Sequence, residues 1–68
     1  MNEDTLNMEI RKFLKKVGVT SQREIEHRIL KAVESGELSG EETLAVTMTL
    51  SVPALGLNQP IEGEIALE

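Results

Sequence analysis

The side chains of this 68-residue chain that could hold a metal, move a proton or attack a carbonyl are one histidine, twelve carboxylates and scattered hydroxyls; cysteine is absent. His27 falls on the helical wheel opposite Ile25 and Ile29, beside Arg23, Lys31 and Glu34, with no second ligand at a zinc-motif spacing. General acid or base chemistry needs a partner group and a pocket, and the pattern around His27 announces neither. The carboxylates are numerous but not paired for catalysis. Glu62 and Glu64 alternate along one face of a strand pattern, and Glu41 and Glu42 sit in a glycine-serine loop. No calcium-loop spacing, glycine-rich phosphate loop or nucleophile elbow is present. The expectation is a non-enzymatic protein with no catalytic residues, no metal and no cofactor.

Charge is distributed unevenly. Residues 1–34 hold all seven basic residues and six acidic ones, net +1, whereas residues 35–68 hold six acids and no base, net -6. Arg11, Lys12, Lys15 and Lys16 spread around Met8 on the side of a helical pattern away from its apolar stripe. Two accounts stay open: a solvated polar face whose late cations complement the helix dipole, or a docking face for an acidic partner or a nucleic-acid phosphate. Leu55 and Leu57, flanking Gly56, form a second candidate surface. Either they fold over the end of the sheet or they stand out as an apolar knob for a partner.

These residues must be held by elements that the apolar spacing delimits. Leu6, Ile10, Phe13, Leu14 and Val17 recur at helical intervals and predict a first helix over about 4–17, with Asn2 or Asp4 as its cap and Gly18 as its left-handed stop. Ser21-Gln22-Arg23-Glu24 has the form of a capping box, and Ile25, Ile29, Ala32 and Val33 predict a second helix over about 22–35, closed by Ser35-Gly36. From Leu44 the period changes to two. Leu44, Val46, Met48, Leu50 and Val52 predict a strand over about 43–52 that ends at Pro53, and Ile61, Ile65 and Leu67 predict another over about 59–67. Pairing Leu50 with Gln59, or Val52 with Ile61, keeps the apolar faces together; Gly63 is a candidate bulge.

The expected fold class is α+β, a single domain of order α-α-β-β with two N-terminal helices packed on one face of a C-terminal antiparallel β-hairpin. The expected core is Leu6, Ile10, Phe13, Leu14, Val17, Ile25, Ile29, Val33, Leu44, Val46, Met48, Leu50, Ile61 and Ile65. Both strands would be sheet edges, so pairing of the chain with itself through an edge is a natural partner expectation.

Composition bounds the rest. A 7.5 kDa chain buries only about 60% of its unfolded surface, and without cysteine it has no disulfide staple. A net charge of -5 disfavours whole-surface binding to nucleic acid or anionic membrane. No apolar run approaches the length of a membrane span, and the acidic Met1-Asn2-Glu3-Asp4 start is unlike a signal peptide, so a soluble cytoplasmic protein is expected.

That start, the run from Ile10 to Glu26, and Ile61-Glu62-Gly63-Glu64-Ile65 resemble a family of small bacterial proteins of unknown function. The likeness covers nearly the whole chain. It implies a protein of this size with the helix-helix-hairpin order and brings no activity, ligand or catalytic residue. The leading functional expectation is a non-enzymatic protein-interaction or regulatory module acting through strand edges, the hairpin tip or the basic side of the first helix. The alternative is a nucleic-acid-binding protein, partly winged-helix-like, that uses the basic side of that helix; no small-molecule substrate is expected.

Overall fold

The structure, a computed structural model, describes residues 1–68. Its elements are one helix, α1 (Glu3–Glu34), and two strands, β1 (Thr43–Val52) and β2 (Leu57–Ala66), joined by a 3-10 turn at Pro53–Leu55. They form two compact units, Met1–Glu37 and Leu38–Glu68.

The first unit corrects the expectation of two helices. α1 runs unbroken for 32 residues, about 48 Å, through the Gly18 and Ser21 positions where a stop and a restart were expected. Gly18 is absent from the glycines with positive φ, so it takes no left-handed turn. A glycine inside a helix costs about 1 kcal/mol relative to alanine. Ending the helix there and beginning another would strip intrahelical partners from several carbonyls and amides on each side, which costs more. The hydroxyl and carboxylate of Ser21 and Glu24 consequently have no orphan N–H groups to cap, because within a continuous helix those donors bond the carbonyls four residues back.

Both true ends of α1 lie where the sequence places them. Asn2, in extended conformation, accepts hydrogen bonds at Oδ1 from the N–H groups of Asp4 at 3.0 Å and Thr5 at 3.1 Å. Glu3 and Asp4 put negative charge at the positive end of the dipole. At the other end Ser35 donates from its backbone to Lys31 O at 3.0 Å and from Oγ to Ala32 O at 3.2 Å, and Gly36 follows at φ +84°. That left-handed residue turns the chain out of the helix.

The second unit is an antiparallel hairpin. Its register pairs Leu44 with Ile65, Val46 with Gly63, Met48 with Ile61, Leu50 with Gln59 and Val52 with Leu57. Because successive side chains alternate between faces, those pairs share one largely apolar face, while Thr43, Ala45, Thr47, Thr49 and Ser51 share the other with Glu62 and Glu64. The Leu50–Gln59 alternative is therefore the one realised. β2 begins at Leu57, two residues before the expected start, since the tight turn hands the chain straight back: Gly56 at φ +63° donates its N–H to Pro53 O at 3.1 Å. The ladder runs through Gly63 one residue to one, so no bulge forms there. Leu67 extends the pairing by donating to Glu42 O at 2.9 Å.

The expected core does not form: no side chain in either unit is buried. Leu6, Ile10, Phe13, Leu14, Val33, Met48 and Ile61 are exposed, and Val17, Ile25, Ile29, Leu44, Val46, Leu50 and Ile65 reach only half-burial. The reason is architectural. Within its own unit, one helix cannot enclose its stripe, and a two-stranded ribbon supplies no second layer. No helix is long and apolar enough to cross a membrane.

Candidate interaction surface

Within α1, at 100° per residue, Leu6, Ile10, Phe13, Leu14 and Val17 share one face. The first four are 46%, 49%, 56% and 54% exposed, which leaves a contiguous apolar strip in water. The opposite side carries the charges. Arg11 and Lys15, then Lys12 and Lys16, are each four residues apart and bracket Met8, which is 67% exposed. The helix thus brings Met8, Arg11, Lys12, Lys15 and Lys16 together on one side, as their spacing requires. Asp4, Asn7, Met8 and Arg11 outline a shallow surface depression that opens to solvent rather than a cavity.

Leu55 and Leu57 do not act as a pair. Leu57 joins the apolar face of the hairpin opposite Val52, whereas Leu55, on the 3-10 turn, is 77% exposed. His27 lies exposed on α1, and no group of three or more histidines or carboxylates converges in a way that could hold a metal ion.

One ordered polar feature escaped the sequence reading. The Glu42 carboxylate, which the sequence places in a glycine-serine loop, accepts from the backbone N–H of Ser39 at 2.8 Å, Gly40 at 2.9 Å and Glu41 at 3.1 Å. Ser39 Oγ also accepts from the Glu41 N–H at 3.2 Å, and Gly40 takes φ +96° to aim these donors inward. The Ser39 N–H is the largest of the hydrogen-bonding influences that lower the Glu42 pKa from 4.5 to about 2. Such a ring of amides would bind an anion, but the chain fills it with its own carboxylate, so it is a fastening for the approach to β1. The signal available in the sequence was the Ser-Gly pair followed by an acid within reach of its N–H groups.

No protein of curated function and no solved structure matches the chain. The family of unknown function DUF6494 matches residues 1–68, the full length described above, and the chain belongs to that family.

Proposed function

We propose that this protein is a non-enzymatic interaction module whose working surface is the apolar strip of α1. The carrying observation is that Leu6, Ile10, Phe13 and Leu14, roughly half exposed each, lie contiguous on a chain in which no side chain is buried. An apolar strip of this size is comparable to the largest patch on an ordinary monomer, and such patches are often interaction sites. The depression outlined by Asp4, Asn7, Met8 and Arg11 is shallow and open to solvent, in keeping with a binding role.

The test is in-cell cross-linking of the full chain beside the double variant Ile10→Asp, Phe13→Asp, both at exposed positions. Conversion of the wild-type chain to cross-linked species that the variant does not form supports the reading. A wild-type chain that stays at its own mass overturns it.

The basic side of α1 favours a second reading, binding to nucleic acid. Four cations over six residues around Met8 could neutralise a few phosphates, although six acidic residues on residues 35–68 oppose approach. A gel shift at low salt with mixed DNA and RNA, repeated with Lys12→Glu, Lys15→Glu and Lys16→Glu combined, decides it: salt-sensitive binding lost in the variant supports this reading, and no shift removes it.

A further inference from the structure

We propose that the partner of the α1 strip is a second copy of this chain, laid antiparallel over residues 3–17; this rests on the interaction reading above and names its occupant. Leu6, Ile10, Phe13 and Val17 are spaced by four, three and four residues, the repeat of a helix seam. In an antiparallel pair the seam closes by setting Leu6 opposite Val17 and Ile10 opposite Phe13, so each layer joins two apolar side chains.

The charges choose the direction. Glu9 and Lys16, seven residues apart, flank the same side of the seam, and Asn7 and Leu14 flank the other. Antiparallel pairing brings like flanks together, so Glu9 of each copy lies along Lys16 of the other, and Leu14 lies along Asn7. Parallel pairing brings unlike flanks together and sets Glu9 beside Leu14, where the carboxylate gains no cation. More broadly, the segment begins acidic, with Glu3, Asp4 and Glu9, and continues basic, with Arg11, Lys12, Lys15 and Lys16. Of the two arrangements, only the antiparallel one sets an acid, Glu9, against a base, Lys16, beside the seam.

The area agrees. With large apolar side chains of about 200 Å² each, the exposed halves of Leu6, Ile10, Phe13 and Leu14 leave about 400 Å² of apolar surface per copy. A pair would cover about 800 Å² before the flanking charged and polar side chains are included, below the roughly 1,200 Å² of a stable specific interface and within the range of weak, transient ones. Reversible association at micromolar concentration is the corresponding expectation.

The absence of cysteine makes the test clean. Leu6→Cys and Val17→Cys chains are prepared separately, and each is oxidised alone and as a mixture, with sedimentation of the wild-type chain followed up to about 200 micromolar. Antiparallel copies place the two Leu6 positions about 16 Å apart along the axis, beyond disulfide reach, while Leu6 of one copy faces Val17 of the other. The expected result is a disulfide-linked species in the mixture only, together with concentration-dependent dimerisation. Lys16→Glu should weaken the dimer about tenfold, and Glu9→Lys added to it should restore the affinity.

Self-linking of either single variant overturns the proposal in favour of parallel copies. A wild-type chain that remains monomeric overturns it outright. If that monomer still cross-links to another macromolecule in cells, only the second copy is refuted; if it does not, the interaction reading fails as well.

Discussion

Replacing Gly18 by alanine separates a continuous α1 from a chain that turns at that glycine, because the two arrangements predict opposite signs. In the continuous helix Gly18 is exposed, takes no positive φ, and a Cβ built on it meets nothing within 4 Å. The methyl group therefore adds no clash, and alanine restricts the unfolded chain more than glycine does. The gain is about 0.5 to 1 kcal/mol. For a domain of this size each kcal/mol moves the midpoint by about 4–8 °C, so the melt should shift upward by about 2–8 °C. Had Gly18 been a left-handed helix stop, the same methyl would cost about 1–2 kcal/mol and lower the midpoint. The assay is far-ultraviolet circular dichroism at 222 nm, with both chains at one fixed concentration because self-association would make the midpoint concentration-dependent. A midpoint that falls or stays still would refute the continuous helix.

Three further substitutions probe the other ordered features. Asn2→Ala removes the acceptor for the Asp4 and Thr5 N–H groups and should destabilise α1 by about 1 kcal/mol, read as a lower thermal midpoint, while Asn2→Asp should keep most of the stability. Gly56→Ala forces a side chain into φ +63° and should cost the hairpin about 1 kcal/mol, seen as lost cross-strand contacts near Val52 and Leu57 by NMR, with Gly56→Asn milder. Since the folded pKa of Glu42 lies below its ordinary value, its contribution is fully present above pH 4.5 and fades as pH falls through about 2. The Glu42 carboxyl carbon should titrate near 2, together with the Ser39 and Gly40 amides, and Glu42→Gln should abolish that transition; a midpoint near 4.5 would show that the amide ring does not hold the carboxylate.

What the sequence disclosed depended on how local the determining physics is. The Ser35-Gly36 exit and the β1 span each rest on a few neighbouring residues and are readable from them, whereas the same local signals narrow the N-cap only to Asn2 or Asp4 and the register only to Leu50–Gln59 or Val52–Ile61. The fate of Gly18 was not readable, because Val17-Gly18-Val19-Thr20 is poor in helix formers and a plausible capping box follows it. Those signals state a preference of about 1 kcal/mol, whereas the outcome is set by hydrogen bonds spanning the whole segment. Burial was the least readable property. Period and polarity show which side of an element is apolar, but not whether anything covers it, so a list of inward-facing residues became a list of exposed and half-buried ones.

The two-helix expectation nonetheless detected something physical. Leu6, Ile10, Phe13 and Val17 keep a seam whose continuation would fall on Thr20 and Glu24, yet the apolar side chains resume one position later, at Ile25, Ile29 and Ala32. A one-residue step turns a helical face by 100°. The backbone ladder passes through that step unaffected, because its N–H and C=O groups do not depend on side-chain phase, and so α1 stays whole while its stripe divides. Ser21, Ile25, Ile29 and Ala32 are half-buried while Val33 is exposed, and Leu6, Ile10, Phe13 and Leu14 are exposed while Val17 is half-buried. One rigid helix thereby carries two apolar faces that a flat partner cannot cover together. The N-terminal one carries Leu6, Ile10, Phe13 and Leu14, all exposed, and it is also the stretch on which Glu9 and Lys16 are ordered for an antiparallel copy.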